Sequence, residues 1–427
     1  MIERYQTPEM REIWSEKTRY QKWLLIEIKL LEVLSKYEKI PKEVIEKLKR
    51  IEVDVERIKE IEKRTEHEVI AFIESIIEKV PECGKYFHKG LTSSDVMDTG
   101  FSLQIKDALK VIFEELDKLK EVLKDKALKE RDTVMAGRTH GIHAEPITLG
   151  LKFLRWYDEI KRGIKRLKLA EDEISYGKLS GAVGTCAHIS PQIEEEVLKA
   201  LDLKPEPVAS QVVHRDRHAF LMCVLALIAS TCEKIATEIR QLQRTEIGEL
   251  EEPFKGGQKG SSAMPHKKNP VICERICGLA RFIRNFVITA MENVNLWNER
   301  DISHSSTERI IFPDAFTALH YILRKLNFVI SNLKINYDRI KENLEKTGGL
   351  IFSGRVLKAL MDKGFSRERA YEIVQKKAFE AMKKGHFKEL LKEYFTDKEL
   401  EEIFDYRYYL RNLGDIYDRV IGGGNDV

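Results

Sequence analysis

The densest group of chemically useful side chains lies in a glycine- and serine-rich stretch at residues 256–270. Within nine residues it supplies hydroxyls, an imidazole, two cations and an amide, namely Ser261, Ser262, His266, Lys267, Lys268 and Asn269. Pro253 and Pro270 bound this stretch, which the sequence therefore predicts to be a loop. A hydroxyl in such a loop can accept a proton from a substrate, while the neighbouring cations and amide stabilise the negative charge that develops. A solvated basic connector is the alternative, but a connector does not need this density of groups.

Six of the eleven histidines lie in or beside predicted loops between helices: His67, His88, His140, His143, His266 and His304. A single histidine in a loop is more often structural or merely exposed than catalytic. Six of them next to Gly, Ser, Thr or Arg favour a site of proton transfer. Metal binding is the competing interpretation, but the spacing His-Glu-x-x-His does not occur and lysines crowd the loop. The sequence therefore predicts no metal.

Length and charge limit the class of protein. A chain of 427 residues is too long for one ordinary core, so two or three domains are expected. Lys and Arg number 73 against 70 Asp and Glu, and the net charge of +3 makes no case for nucleic acid or a membrane surface as partner. No run of 18 apolar residues occurs. We expect a soluble, cytoplasmic protein.

Apolar residues recur every three or four positions through the two long stretches without proline, Pro81 to Pro146 and Pro207 to Pro253. This period predicts an all-α protein whose helices are longer than average, and a helical bundle would bury their apolar stripes. Loops are expected at 137–146, 177–185, 251–270 and 298–309. We expect three helical domains: an N-terminal domain at 1–91, a central long-helix bundle at 92–342 that forms the oligomer core, and a C-terminal domain at 343–427.

The segment Gly-Ser-Ser-x-Met-Pro-x-Lys-x-Asn-Pro resembles the signature of the fumarase/aspartase superfamily, whose members eliminate fumarate from a succinyl group. With His266 inside it, the segment is similar to the adenylosuccinate lyase branch. Other motifs of that branch follow in order along nearly the whole chain: Arg4-Tyr5, Leu-Thr-Ser-Ser-Asp at 91–95, Gly-Arg-Thr-His-Gly at 137–141, Gln211, and the block at 300–309. The resemblance implies cleavage of adenylosuccinate to AMP and fumarate, cleavage of the imidazole substrate SAICAR to AICAR, and no cofactor.

The resemblance also implies roles in a β-elimination. Ser261 is the base that removes a proton from the carbon next to a carboxylate, and Lys267 and Asn269 hold that carboxylate. His140 gives a proton to the leaving nitrogen. Glu274, one turn into the next helix, orients or charges a histidine.

The remaining matches imply contacts to the nucleotide. His67 and His88 are expected around the phosphate and the succinyl arm, and arginines are expected on the phosphate because their planar guanidinium groups suit it. The implied substrate-binding positions are Arg4, Tyr5, Glu66, Glu68, Thr92, Ser93, Gln211, Arg300, Ser305 and Arg309. Glu66-His67-Glu68 departs from the common Arg-His-Asp. Because a carboxylate would repel a phosphate, either Glu66 points away or the nucleotide contacts differ here.

Three alternatives remain. An argininosuccinate lyase usually has Gln at the position of His266. A carboxymuconate cycloisomerase shares Met-Pro-His-Lys but has no reason to keep Arg4-Tyr5 or the pair Ser305 and Arg309. A non-catalytic structural relative is also open, although intact Ser261, Lys267, Asn269 and His140 argue against it.

Helix length predicts the assembly. A helix of roughly 36 residues after Thr92 would span on the order of 54 Å, far longer than a nucleotide. If Thr92, Ser93 and His140 contact one substrate, they come from different chains. We expect a homotetramer whose active sites are shared between subunits, with small-molecule nucleotides as partners.

Overall fold

The computed structural model describes residues 1–254, 256–383 and 385–422. Helices dominate these residues and the strands are short, so the predicted all-α class is confirmed. The α-helices are α1 (Pro8–Ile13), α2 (Glu16–Leu34), α3 (Lys42–Arg50), α4 (Val55–Thr65), α5 (Glu68–Lys79), α6 (Ser93–Lys129), α7 (Leu149–Ile174), α8 (Pro191–Ala200), α9 (Arg215–Leu242), α10 (Val271–Glu292), α11 (Ser303–Ser331), α12 (Tyr337–Glu345), α13 (Ser353–Asp362), α14 (Arg367–Ala381), α15 (Asp397–Ile403), α16 (Arg407–Leu410) and α17 (Leu413–Tyr417).

The strands form three two-stranded pairs: β1 (Val134–Thr139) with β2 (Ile142–Thr148), β3 (Tyr176–Gly177) with β4 (Lys204–Pro205), and β5 (Leu250–Glu251) with β6 (Lys334–Ile335). The first and third pairs are antiparallel, and the second is parallel.

The predicted loop at 137–146 is wrong, because β1 and β2 form a hairpin there. Thr139 pairs with Ile142 across the two-residue turn His140-Gly141, and both turn residues have positive φ, 54° and 79°. Positive φ at both central positions is typical of the turn that matches the twist of a hairpin. A register shift between Ala136 and Arg138 interrupts the strand alternation, which is why the sequence pattern did not reveal it.

The helix starts follow their capping residues. Asp54 accepts a hydrogen bond from the Arg57 N–H at the start of α4. Glu66 ends α4 in the left-handed conformation with φ 50°, and the His67 side chain caps α5 by accepting from the Ile70 N–H. The two helices are therefore separate, and His67 has a structural role at the break between them.

The long helix after Thr92 is confirmed. Helix α6 has 37 residues and begins at Ser93. The Asp95 carboxylate accepts the Thr92 N–H at 2.8 Å, which satisfies one of the unpaired donors at the helix start.

Contacts divide the chain into two compact units. The first unit comprises Met1–Asp117, Arg162–Cys232 and Ile276–Lys325; the second comprises Lys118–Lys161, Glu233–Arg275 and the residues from Leu326 on. Every boundary falls inside one of the five longest helices. The three-domain scheme stays a prediction.

Each unit has its own core. In the first, the Tyr20 and Trp23 ring centroids lie 5.1 Å apart, and Trp23 lies 5.6 Å from Phe72. A Cβ atom at Gly100 would lie 2.7 Å from the Trp23 ring, so only glycine lets α6 pass this close. In the second unit, Phe352 packs against Phe404 at 5.0 Å.

Helix α9 is long and apolar enough to cross a membrane by length and composition alone. However, 61% of its apolar window is buried inside the protein, and burial accounts for its composition.

Candidate active site

The site residues expected from the sequence fall into two groups, one in each unit. The second unit holds the expected proton-transfer and carboxylate-binding residues Ser261, Lys267, Asn269, His140 and Glu274. The first unit holds the expected nucleotide-binding residues and the histidines His67 and His88.

Ser261 is held by backbone donors. Its Oγ accepts hydrogen bonds from the N–H groups of Ala263 at 3.3 Å and Met264 at 3.1 Å. Two such donors on one hydroxyl oxygen would stabilise its deprotonated form, as donors stabilise any developing oxyanion. The donors are the backbone groups of residues that follow Ser261 in the chain.

The loop that carries Ser261 folds back on itself. The Asn269 side chain donates to the Gly260 carbonyl at 2.9 Å, and a Cβ atom at Gly260 would lie 2.0 Å from the Lys267 carbonyl oxygen. Glycine is therefore required at 260. His266 and Lys267 are exposed on this loop.

Buried Glu252 anchors the far end of the loop. Its carboxylate accepts the N–H groups of Ile272 and Cys273 at 3.0 and 2.9 Å, at the start of α10. A carboxylate at a helix N-terminus satisfies unpaired donors and complements the helix dipole. Burial nevertheless raises the pKa of Glu252 above its ordinary value.

His140 and Glu274 are also accessible in the second unit. His140 occupies the exposed tip of the β1–β2 hairpin. Below the tip, the hairpin is fixed by an ion pair in which the Arg138 guanidinium donates to the two carboxylate oxygens of buried Glu249 at 2.6 and 2.9 Å. Glu274 lies exposed in the first turn of α10, where it lines a surface cavity with Arg240 and Arg244.

In the first unit, a cavity of about 120 Å³ contains three of the predicted nucleotide-binding side chains: Arg300, Ser305 and Arg309. Ser305 and Arg309 are four residues apart on α11, so they lie on the same helix face. Arg19 and the aromatic residues Trp14 and Trp23 complete this part of the wall. Cationic donors beside apolar rings suit an anionic group attached to a flat organic body.

The buried wall of this cavity is built around Arg215. Its guanidinium donates to both oxygens of Asp98 at 2.6 and 2.9 Å and to both oxygens of Glu308 at 2.9 and 3.0 Å. Burial raises the pKa of Asp98, but Arg215 outweighs it and holds that pKa at about 2. Burial lowers the pKa of neighbouring His304 to about 4, so His304 is neutral at pH 7.

Glu68 joins two cations of the cavity. Its carboxylate accepts from Arg19 through Oε1 and from Arg309 through Oε2, the latter at 2.5 Å, and the Tyr20 hydroxyl donates to Oε1 at 3.0 Å. Burial raises the pKa of Glu68, but Arg19 and Arg309 outweigh it and hold that pKa below its ordinary value. Glu66 is exposed, which agrees with the first of the two explanations given above, that its carboxylate points away from the phosphate.

Gln211 positions Arg300. The Arg300 guanidinium donates to the Gln211 side-chain oxygen at 2.9 Å, and the Gln211 amide donates to the Ala182 carbonyl at 3.0 Å. The Arg300 Nε is buried and has no hydrogen-bond partner among the described residues. The contact with Gln211 therefore leaves the buried Nε–H of Arg300 available to another acceptor.

His88 is oriented by a carboxylate that the sequence did not reveal. Glu27 is fully buried, and its two oxygens contact the His88 ring Nδ1 at 2.6 Å and the His88 backbone N–H at 3.0 Å. In a neutral ring, Nδ1–H donates to Glu27 and Nε2 remains as the acceptor. His88 also has a positive φ of 55°, so two constraints fix its position.

Thr92 and Ser93 lie half-buried at the start of α6, above a buried ion pair. Asp95 pairs with Lys178, and both side chains are fully buried. Asp95 also accepts the Gly181 N–H at 3.2 Å, which ties the segment after β3 to the start of α6.

Arg4 and Tyr5 lie in the short 3₁₀ helix Glu3–Tyr5 of the first unit. The Tyr5 ring packs edge-on against Tyr321 at 5.3 Å, and Arg4 is exposed. His67 is exposed beside the break between α4 and α5.

The sequence analysis missed three groups that hold site residues: Arg19, Glu27, and the pair Asp95–Lys178. Arg19 and Glu27 sit on α2, where their charges look like those of any amphipathic helix. Only the contacts across elements of the first unit reveal their roles.

Comparison with known proteins agrees with this geometry. Residues 3–284 match the family model described as lyase, and residues 349–420 match the one described as adenylosuccinate lyase C-terminus. Similar proteins include the adenylosuccinate lyases of Thermotoga maritima (48% identical over 98% of this chain and 99% of the relative), Aquifex aeolicus (50%, 99% and 99%) and Bacillus subtilis (47%, 98% and 99%).

Among solved structures, a fumarate lyase from Mesorhizobium has a TM-score of 0.89 at 28% identity, covering 98% of both chains. A 3-carboxy-cis,cis-muconate lactonizing enzyme from Pseudomonas putida has a TM-score of 0.88 at 28% identity, covering 98% of this chain and 97% of that one. The fold is therefore shared with enzymes of other names, including enzymes named for carboxymuconate, one of the three alternatives above.

The full-length relatives and the match at 349–420 decide between these classes. The function predicted from the signature loop is confirmed, and so is the prediction of an enzyme that is a carbon–nitrogen lyase. Because identity of 47 to 50% extends over nearly the whole of three adenylosuccinate lyases, and residues 349–420 match the C-terminal model of the same enzyme, the chain belongs to the adenylosuccinate lyase family.

Proposed function

We propose that the enzyme cleaves adenylosuccinate to AMP and fumarate, and the related substrate SAICAR to AICAR and fumarate. The observation that carries the proposal is the hydroxyl of Ser261, which accepts two backbone N–H groups in a loop with Lys267 and Asn269. A serine so placed suits a reaction that needs a strong base next to a carboxylate.

The proposed elimination has three steps. Deprotonated Ser261 takes the proton from the carbon next to a succinyl carboxylate, and Lys267 and Asn269 stabilise the charge that builds up on that carboxylate. The electron pair then forms the carbon–carbon double bond of fumarate while the carbon–nitrogen bond breaks. His140 gives its proton to the leaving nitrogen, and Glu274 acts on a histidine through its charge.

The phosphate is assigned to the first unit. Arg300, Ser305 and Arg309 line one cavity there. The Arg300 Nε has no hydrogen-bond partner within the described part of the chain, which supports an anion as its ligand. Arg4 and Tyr5 are assigned to the same nucleotide. Thr92, Ser93 and Gln211 are assigned to the remainder of the substrate, together with His67, His88 and the carboxylates Glu66 and Glu68.

The enzyme is proposed to act as a homotetramer with shared sites. Helix α6 has 37 residues, on the order of 55 Å, and it separates Thr92 from the hairpin that carries His140. Large apolar side chains are exposed on two long helices, Phe220 and Leu227 on α9 and Ile288 and Met291 on α10. Packing against further copies of the chain would bury them. A cytoplasmic location and a reaction without metal or cofactor are part of the same proposal.

A direct assay tests this function. Purified protein is mixed with adenylosuccinate, the ultraviolet absorbance is followed, and AMP and fumarate are identified by chromatography. Argininosuccinate and carboxymuconate serve as competing substrates, and the Ser261→Ala variant serves as the control for uncatalysed breakdown of adenylosuccinate. Turnover of a competing substrate in place of adenylosuccinate would overturn the proposal.

A further inference from the structure

Arg19 is a cation that no sequence motif singles out, yet it lines the same cavity as Arg300, Ser305 and Arg309. Its side chain is 25% exposed, and its Nε is buried without a hydrogen-bond partner among the described residues. We propose that Arg19 is an additional phosphate-binding residue and that Glu68 positions both Arg19 and Arg309 for that phosphate. This inference rests on the proposed function, because it assigns a further residue to the same nucleotide.

The charges of the cavity favour an anion. Arg215 is matched by Asp98 and Glu308, which both line the same wall. The other three cations are Arg19, Arg300 and Arg309, and the mostly buried Glu68 pairs with the first and the last of them. Four arginines against the three carboxylates Asp98, Glu308 and Glu68 leave one positive charge in excess. A phosphate monoester carries roughly 1.5 to 2 negative charges at pH 7, so this excess has the sign that attracts it.

A second carboxylate lies near Arg19 but does not change this balance. Glu16 is 4.0 Å from Arg19, is 47% exposed, and makes a closer contact of 2.7 Å with Lys59. Exposed pairs at such distances are screened by solvent and contribute little.

The contacts of Glu68 leave part of each guanidinium available. Its side chain is only 11% exposed, and each of its oxygens accepts from the Nη2 group of one arginine. A guanidinium has five N–H donors, so Arg19 and Arg309 retain donors after the contact with Glu68. The Arg19 guanidinium also lies 5.0 Å from the Tyr20 ring centroid and 5.8 Å from that of Trp23, which restricts its orientation.

A purely structural ion pair is the competing explanation for Arg19. Ligand selectivity separates the two explanations, because a structural role affects every ligand equally, whereas a phosphate contact affects phosphorylated ligands alone. AMP and adenosine differ only in the phosphate, so the ratio of their affinities measures this contact.

The experiment measures AMP and adenosine binding by calorimetry for the wild type, Arg19→Met and Lys17→Met. Lys17 is exposed on the same helix, so its substitution removes the same charge away from the cavity. Arg19→Met should weaken AMP binding by about 10- to 100-fold and leave adenosine binding unchanged, the size expected for a hydrogen bond to a charged group. Lys17→Met should leave both affinities unchanged, and Arg19→Lys should give an intermediate loss for AMP because it keeps the charge without the planar donors.

Glu68→Ala tests the positioning role in a double-mutant cycle. If Glu68 positions Arg19, the loss caused by Arg19→Met should be smaller in the Glu68→Ala background than in the wild type. Equal losses in both backgrounds would overturn that role. If Arg19→Met does not fold, Arg19→Lys and Glu68→Ala carry the test, and unchanged selectivity for AMP in both would overturn the inference.

The outcomes separate this inference from the proposed function. A wild type that does not distinguish AMP from adenosine would contradict the phosphate site itself, and with it the proposed function. A selective wild type beside an equally selective Arg19→Met variant would overturn the role of Arg19 alone. Equal weakening of both ligands, with a lower denaturation midpoint, would assign Arg19 a structural role and also overturn the inference.

Discussion

Replacing Arg215 by Met tests how the cavity wall is held together. Arg215 is 2% exposed, and its side chain connects all three chain segments of the first unit, through Asp98, Glu308 and the Val213 carbonyl. Met has a similar length and keeps most of the packing, so the substitution removes the charge and its five hydrogen bonds. Two buried carboxylates are then left without their cation.

The expected loss in the free energy of unfolding is about 3 to 5 kcal/mol at pH 7, which is the cost of removing one partner of a buried ion pair. Arg369→Met is the matched control: its side chain is 63% exposed and pairs with the equally exposed Glu372 at 3.0 Å. The control should cost about 0 to 1 kcal/mol, because solvent screens such a pair.

The loss should also depend on pH, in a direction that follows from the pKa values. In the wild type, Asp98 has its pKa lowered to about 2, so its contribution to stability is present above its ordinary pKa and is lost only in strong acid. Without Arg215, this cation no longer opposes the effect of burial on Asp98 and Glu308, so both pKa values rise. The variant then gains a proton on acidification from pH 7 to pH 5, and the difference in stability shrinks.

Nearby histidines act in the same direction. Burial and then Arg215 lower the pKa of His218 to about 3 and that of His304 to about 4. Removing the cation raises both pKa values, so either ring can take up the compensating proton.

The assay is urea unfolding followed by circular dichroism, at pH 7 and pH 5 and at matched protein concentration. The double variant Arg215→Met with Glu308→Gln should recover part of the loss, because it removes one of the two unpaired carboxylates. This account of Arg215, Asp98 and Glu308 would be refuted if Arg215→Met destabilised the protein no more than Arg369→Met does, or if its destabilisation grew on acidification.

Three further predictions concern the proposed reaction. Ser261→Ala should abolish turnover and leave the affinity for adenylosuccinate within about threefold in calorimetry, since the phosphate contacts lie elsewhere; loss of binding together with turnover would mean that Ser261 is structural. Arg309→Ala should raise the KM for both nucleotide substrates by about 10- to 100-fold in steady-state kinetics. If the variant prefers the substrate over a dephosphorylated analogue as strongly as the wild type does, Arg309 does not bind the phosphate. His140→Ala should be complemented by a chain in which Thr92 and Ser93 are both changed to Ala, with roughly a quarter of sites active after co-refolding; mixed oligomers seen by native mass spectrometry that stay inactive would exclude shared sites.

Much of the fold follows from local rules. The apolar period predicts the long helices, and cap residues predict where several begin: Asp54 at α4, and Thr396 with Glu399, whose reciprocal hydrogen bonds open α15. The hairpin at β1 and β2 was missed because Gly137 and Pro146 interrupt its alternation and a register shift displaces its pairing. Local propensity does not report a strand whose pattern is broken by a bulge.

The candidate site was predictable only where chemistry concentrates in short motifs. Ser261, Lys267 and Asn269 lie in one loop, so their spacing alone is informative. Arg19 lies 49 residues from its hydrogen-bond partner Glu68, and Glu27 lies 61 residues from its partner His88. No periodicity in a single sequence connects such pairs, and only the packing of α2 against its neighbours makes them visible.

The change from Arg-His-Asp to Glu66-His67-Glu68 also becomes intelligible in physical terms. Glu66 is exposed at the end of α4, where its charge is screened and its φ of 50° serves the turn. Glu68, two residues on, is 11% exposed and lies between two arginines, where a carboxylate is stabilised and a neutral side chain would leave cations unpaired. The resemblance places both carboxylates near a phosphate, and the sequence predicts repulsion from Glu66. Exposure distinguishes the two: the charge of exposed Glu66 is screened by solvent, whereas the mostly buried Glu68 balances part of the charge of the cations that the phosphate is proposed to meet.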